Sequence, residues 1–321
     1  MSTPNTAFQT ITFPYGDAAI AEGVRLISAG QPVAAPTETV YGLAADATNA
    51  GAVAAIYAAK GRPSFNPLIV HVLDLAAAEA IAVVDDRARA LAAAFWPGPL
   101  TLVLSMRPDG GIASLVTAGL DTIAIRVPAH RAMRALLAAT GKPLAAPSAN
   151  ASGAISPTRA AHVLASLNGR IAMIIDDGPT SAGLESTIVM PNMLIGDPPR
   201  LLRPGPLSAA AIEAVIGRPL AQATGGIIAP GQLASHYAPT KPLRINADRA
   251  RKGEWMIGFG DAPGDDSLSE SGDLQEAAAR LFDCLHRADA SECDAIAVAP
   301  VPSEGIGAAI NDRLGRASHF E

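Results

Sequence analysis

The chain has 321 residues, 49% of them apolar and 17% charged, with a net charge of −6. That composition excludes a disordered chain and a surface built to coat nucleic acid. The length exceeds what a single hydrophobic core usually serves, so two domains are expected, with cores of Ala, Leu, Val and Ile because aromatic residues are only 4%.

In chain order, Asp17 to Ser28 predicts a helix closed by Gly30, followed by a short strand from Pro32 to Pro36. Asn49 can cap a helix running to Lys60, with Gly61 as its stop. Leu68 to Leu73 is apolar and partly β-branched, which predicts a buried strand. Asp85 to Phe95 predicts a helix ended by the breaker Trp96-Pro97-Gly98-Pro99, and Leu100 to Ser105 and Thr122 to Val127 predict strands. Arg131 to Thr140 reads as a helix that Gly141 ends, and Ser156-Pro157 reads as an N-cap opening a helix to Leu167. Ile171 to Ile175, Ser186 to Val189 and Leu201 to Arg203 complete the strand set. Several strands follow one another with little helix between, so the sheet is expected to be mixed.

From Arg218 to Pro242 neither period is present, and Gly225 to Pro239 reads as a linker. Beyond it, Leu243 to Ala247, Met256 to Phe259 and Ala295 to Ala299 predict strands, and Asp273 to Ala288 and Glu304 to Leu314 predict helices. A second, smaller α/β domain follows from that alternation. Gly260 to Gly272 is acidic and turn-rich and reads as an exposed loop. Cys284 and Cys293, the only cysteines, have a spacing that suits neither a zinc site nor a disulfide framework, which places the protein in a reducing cytoplasm. Met1 to Thr10 lacks the pattern of a signal peptide, and no apolar run approaches the roughly 20 residues that cross a bilayer. A soluble protein with no membrane partner is expected.

Chemistry concentrates in two polar islands, Lys60-Gly61-Arg62-Pro63 and Ser148-Ala149-Asn150. In the first, a Gly/Pro-fixed turn aims two cations at one spot, Arg offering a planar fork to phosphate oxygens and Lys a point charge. A solvated helix end with favourable dipole contacts explains the same residues equally well. In the second, a strand end passes into small hydrogen-bonding residues, as in phosphate-binding nests or in an ordinary turn. Neither Gly-x-x-x-x-Gly-Lys-Ser/Thr nor Gly-x-Gly-x-x-Gly is present. The residues by themselves lead to an anion or nucleotide pocket.

Six motifs occur in one order: Pro36-Thr37-Glu38-Thr39-Val40-Tyr41-Gly42-Leu43, Lys60-Gly61-Arg62-Pro63, Asn66-Pro67-Leu68-Ile69-Val70-His71, Trp96-Pro97-Gly98-Pro99-Leu100-Thr101, Ile125-Arg126-Val127-Pro128 and Pro147-Ser148-Ala149-Asn150. That succession closely resembles the threonylcarbamoyl-AMP synthases built on a YrdC-like domain, over roughly residues 11 to 217. The Ser235-His236-Tyr237-Ala238-Pro239 run and the C-terminal region resemble the two-domain branch. The resemblance implies a YrdC-like twisted mixed sheet with flanking helices in residues 1–217, a linker over the active site in 218–242, and a smaller Rossmann-like α/β domain in 243–321.

It implies further that L-threonine, bicarbonate and ATP condense into threonylcarbamoyl-adenylate and pyrophosphate, a nucleotidyltransferase reaction. The product then serves a tRNA threonylcarbamoyl-transfer complex. By motif, Lys60, Arg62, Ser148 and Asn150 match the catalytic tetrad for ATP and the carbamate; Asn66, Thr122, Ser156, Arg203 and Tyr237 match further ATP contacts. Thr39, His71, Arg126 and Ser186 match the threonine-holding positions, and Arg200 competes in register with Arg203. No carboxylate cluster marks a metal site, so Mg²⁺ is expected to ride on the ATP phosphates. Ala44 departs from the Gly that the family often carries there. A noncatalytic RNA-binding module on the same fold is the competing reading, with the acidic balance against stable nucleic-acid binding.

Overall fold

The computed structural model describes residues 9–191, 198–222 and 236–319. It begins with β1 (Ile11–Pro14), α1 (Asp17–Ser28) and a hairpin of β2 (Val33–Pro36) and β3 (Tyr41–Asp46). In α2 (Ala50–Lys60), Asn49 Oδ1 accepts from the amides of Gly51 and Ala52, and Gly61 closes the helix with φ 61°. Both caps satisfy backbone groups that a helix end leaves unpaired. Then come β4 (Ile69–His71), α3 (Leu75–Ile81), α4 (Asp86–Phe95), β5 (Leu100–Ser105) and α5 (Ser114–Thr117). β6 (Thr122–Arg126), α6 (Arg131–Thr140), β7 (Leu144–Ala145), α7 (Ala160–Leu167) and β8 (Met173–Asp176) follow. The larger unit ends with β9 (Thr187–Met190), β10 (Arg200–Arg203), α8 (Ala209–Ile216) and β11 (Ala221–Gln222).

These strands form one eleven-stranded mixed sheet, in the order β1-β8-β2-β3-β7-β4-β6-β5-β9-β10-β11. Alternation divides its residues between two faces. Ala34, Leu43, Val70, Leu102, Ile123 and Ile125 enter the main core with α2, α4 and α7. On the other face, Val33, Ala35, Ala44 and Ile175 pack under α1 and α6, while Ile69, Val103, Ala124, Ile188 and Leu202 form a separate patch. His71 and Arg126, register partners of the parallel β4/β6 pair, lie on that second face.

The smaller unit comprises β12 (Leu243–Arg244), β13 (Glu254–Gly258), β14 (Asp266–Ser267), α9 (Leu274–Asp289), β15 (Ala295–Val298) and α10 (Gly307–Ala317). Its sheet runs β12-β15-β13-β14 with parallel pairing throughout. This is an α/β layer; the strand order carries the Rossmann-like comparison no further. The units share a core in which Val40, Ile155 and Leu184 pack with Leu281, Phe282 and Ile310. Polar contacts cross the same seam: Arg159 Nε donates to Asp283 Oδ1 at 2.7 Å, and the rings of His162 and His286 stack at 3.8 Å.

Three local expectations change. Ser156 does not cap a helix: α7 starts at Ala160, because the Ser156 hydroxyl donates instead to Glu185, distant in sequence. Within Gly260 to Gly272, Asp266 and Ser267 pair with β13 and Leu268 and Ser269 are buried, since the smaller sheet needs an edge and a floor. Of the expected linker, residues 223–235 lie outside the described residues; Ala221 and Gln222 pair with β10, and Ala238 bridges to Ala154. Among the described residues no helix is long and apolar enough to cross a membrane.

Candidate active site

A cleft opens on the second face of the large sheet. One end is built by the β2–β3 hairpin turn. Thr37 Oγ1 donates to the Val40 carbonyl and accepts from the amides of Thr39 and Val40, which fixes the turn. Thr39 Oγ1 accepts from Arg126 Nη1 at 2.8 Å, Arg126 Nε donates to the Gly98 carbonyl at 3.1 Å, and Arg126 Nη2 pairs with Glu38 Oε1 at 2.6 Å. The guanidinium is therefore held on three sides. Burial raises the Glu38 carboxyl, but the Arg126 charge and hydrogen bond outweigh that and lower it below its ordinary range. Among the described residues neither ring nitrogen of His71, on the neighbouring strand, has a hydrogen-bond partner, and burial first, then Arg126, depresses it to about 3. It is a neutral, unsatisfied donor–acceptor pair facing the cleft.

At the other end stand the two polar islands. Gly61 turns the chain out of α2 so that Lys60 and Arg62 both point inward. Lys60 Nζ donates to the carbonyls of Ser148 and Asn150, each at 2.5 Å, and lies 3.4 Å from Asn150 Oδ1. Burial, then the neighbouring Arg62, lowers its pKa well below the ordinary lysine value. Its position differs from a cation aimed freely at a ligand: it ties the second island to the first. The 148–150 segment is also strapped to β3, through a Gly42–Ser148 bridge and an Ala149 amide donating to the Tyr41 carbonyl. Arg62 lines the cleft, donating to the Pro67 carbonyl at 2.9 Å, and burial lowers its pKa to about 10. The side-chain amide of Asn66 is buried, with no partner for either atom among the described residues.

Between these ends, Ser186 Oγ meets Thr101 Oγ1 at 2.7 Å and accepts from Arg203 at 3.2 Å; Arg203 Nε also donates to the Ser186 carbonyl. Gly205 makes that approach possible, since a Cβ there would lie 2.4 Å from the Thr187 nitrogen. Arg203 lines the cleft, whereas Arg200 sits at the far end of β10. Tyr237 lines it too, 1% exposed and with φ 64°, a conformation few non-glycine residues adopt.

The structure thus puts Thr39, Arg62, His71, Arg126, Ser148, Ser186, Arg203 and Tyr237 on one wall system. Lys60 and Asn150 stand directly behind Ser148, and Ser156 reaches the wall through Glu185. Thr122 does not line the cleft: it opens β6 opposite Ser105, and the rise of an extended strand carries it roughly 13 Å from Arg126 at the other end. Sequence reasoning passes over Glu38 and Glu185, although each is the direct neighbour of a chosen residue, and over Arg313 on α10, for which no local signal exists.

The larger unit matches the family model described as telomere recombination over residues 25–205, and residues 207–319 match the C-terminal domain of threonylcarbamoyl-AMP synthase. The chain is 42% identical to a threonylcarbamoyl-AMP synthase of Bacillus subtilis, across 94% of this chain and 93% of that one. The chain belongs to the threonylcarbamoyl-AMP synthase family. A threonylcarbamoyl-AMP synthase of Pyrococcus abyssi is 39% identical over 92% of each chain. The structure of P. abyssi Sua5 complexed with L-threonine superposes with a TM-score of 0.86 at 37% identity, covering 96% of this chain and 97% of that one. Threonylcarbamoyl-AMP synthases are nucleotidyltransferase-type enzymes, so the catalytic reading stands over a noncatalytic RNA-binding module.

Proposed function

We propose that the cleft binds L-threonine at the Thr39, His71, Arg126 and Ser186 end and ATP along Arg62, Ser148 and Arg203, and joins them through bicarbonate. The observation that carries this is the pairing of two unlike compartments in one cleft. Arg126 is charge-balanced by Glu38, which suits a zwitterion: the carboxylate meets the guanidinium, and nearby neutral His71 and Ser186 can hydrogen-bond the remaining polar groups. Arg62 and Arg203 make the other end cationic, which suits phosphates.

In the proposed reaction the threonine nitrogen, having lost a proton, bonds to the bicarbonate carbon and water leaves. A carbamate oxygen then attacks the α-phosphorus, the bond to the β-phosphate breaks, and pyrophosphate departs. Both steps require alignment and neutralisation of negative charge more than covalent help from the protein. The Ser148–Asn150 loop, with Lys60 behind it, belongs to the nucleotide end, and the carbamate would form where that end meets the threonine compartment. Tyr237, on the cleft wall, is assigned as a nucleotide contact; Asn66, whose carbonyl accepts from the cleft residue Arg62, and Ser156, behind Glu185, are assigned as outlying ones, and Thr122, off the cleft, as the most distant. The carboxylate lining the cleft, Glu185, is engaged by Ser156 and Arg313. We therefore place a divalent cation, Mg²⁺, on the phosphates of ATP. Catalysis is assigned to residues 1–217, with 218–242 as the connection and 243–321 as the smaller unit, and the adenylate is passed to a separate complex that modifies tRNA.

The test is pyrophosphate release by the purified chain given L-threonine, bicarbonate and Mg-ATP. Release that requires threonine, with a threonine-containing adenylate detected by mass spectrometry, is the expected result. Release at the same rate without threonine overturns the proposal.

A further inference from the structure

We propose that the C-terminal unit takes part in nucleotide binding through Arg313, which neutralises Glu185 in the cleft wall and keeps that carboxylate from repelling the phosphates. This rests on the ATP site assigned above. Glu185 immediately precedes Ser186 and lines the cleft, 6% exposed. Its Oε1 accepts from the Ser156 hydroxyl, and its Oε2 accepts from Arg313 Nε at 2.8 Å. Arg313 comes from the buried face of α10, on the other unit, and is wholly inaccessible to solvent.

The contact is more than a seam between two domains, because both ends of it reach the cleft. The Arg313 guanidinium lies 5.2 Å over the ring of Tyr237, itself a cleft residue, and Nη1 pairs with Asp312 at 2.6 Å. Burial pushes the Glu185 carboxyl up, yet the charges of Arg313 and Arg203 and the Ser156 hydrogen bond outweigh burial, so it stays ionised. A buried carboxylate stripped of its partner is an uncompensated charge, and a low local dielectric extends its reach to neighbouring groups. Without Arg313 that charge would draw on Arg203, a cation the phosphates need. Arg313 acts through Glu185 and is a positioning residue.

The experiment compares the full-length chain with Arg313→Gln, Glu185→Gln and the double variant, measuring pyrophosphate release against Mg-ATP and against threonine. Calorimetric Mg-ATP affinity and thermal unfolding accompany each protein. Arg313→Gln is expected to raise the KM for ATP about tenfold or more while changing the KM for threonine much less. The double variant should recover an ATP KM within about threefold of the parent, since it again has no unpaired charge. Recovery separates charge from packing: a loss transmitted by the Tyr237 contact would persist in the double variant. Wild-type ATP affinity in folded Arg313→Gln overturns the proposal, as does a double variant no better than the single one. Glu185→Gln, which leaves Arg313 paired with Asp312, should raise the ATP KM less than Arg313→Gln does, and an equal or larger rise also overturns the proposal. Should Arg313→Gln fail to fold, the double variant decides, with near-parental ATP affinity expected and a tenfold loss fatal. Failure of the functional reading is separately visible as threonine-independent turnover, because calorimetric affinity needs no turnover.

Discussion

Lys60 shows how far a residue's chemistry can be read before its neighbours are known. Its charge and its place after a helix suggest a cation presented to a ligand, but the ammonium donates to the carbonyls of Ser148 and Asn150. It holds the loop that carries Ser148, while Arg62 faces the cleft itself, so Lys60→Ala and Arg62→Ala should each lower kcat/KM roughly 100-fold or more. Lys142→Ala is the control for activity: that side chain pairs with the buried Asp46 away from the cleft, and because Thr48 still holds that carboxylate its loss should cost roughly 1–3 kcal/mol of stability with little loss of activity. Steady-state kinetics on the three variants, with denaturant midpoints, check the ranking. Equal activity losses would mean that the cleft is not the site of chemistry. Glu38 belongs at this scale too. It stands within a motif, but only the fold shows its carboxylate on Arg126, because the two residues are far apart in the chain.

Two glycines separate the ways an element can place a site. Gly61 occupies the left-handed region at φ 61°, and a methyl group added there would meet nothing within 4 Å, so Gly61→Ala carries only conformational strain, about 1 kcal/mol. Gly205 is the opposite case. A Cβ there would fall 2.4 Å from the Thr187 nitrogen and 2.7 Å from the Glu185 carbonyl, so the chain carrying Glu185 and Ser186 must move. Gly205→Ala should cost roughly 1–3 kcal/mol and also weaken threonine and ATP binding, whereas Gly61→Ala should change stability with a smaller effect on KM. Urea midpoints set beside both KM values distinguish them; unchanged KM values in Gly205→Ala would refute the placement of Ser186. Gly61 is legible because a helix stop is written in adjacent residues. Ser156 reads locally as a cap, yet its hydroxyl answers to Glu185, which no window around Ser156 contains.

For the whole molecule, acid should be destabilising early. Burial holds His71, His236 and His286 at about 3, against an ordinary 6.5, so each is neutral in the folded chain where the unfolded chain is protonated. Between about pH 6.5 and 3 the unfolded state therefore binds more protons, and stability falls as pH falls, by up to roughly 1.4 kcal/mol per pH unit for each histidine. Thermal unfolding from pH 7.5 to 5 should show that slope, and His286→Gln should flatten it. A slope unchanged in that variant would mean that His286 titrates normally. His286 sits on the seam, and burial and the His162 ring stacked on it at 3.8 Å outweigh the Ser156 carbonyl in opposing its protonation, so acid strains the join between the two units.

By itself the sequence determined the α/β class, the mixed large sheet and the identity of the polar islands. Caps, breakers and hydrophobic alternation act over a few residues, and the six motifs are contiguous runs. It also carried the order of those motifs, which is what the family resemblance rested on. The tertiary structure decided which charges are paired. Glu38 with Arg126, Lys60 with the 148–150 loop, and Glu185 with Arg313 all join residues far apart in sequence. It decided as well that Thr122 stands off the cleft and that a helix of the smaller unit reaches into its wall. The reason is physical: buried ionised groups are stable only beside partners, and those partners are chosen by the packing of distant elements.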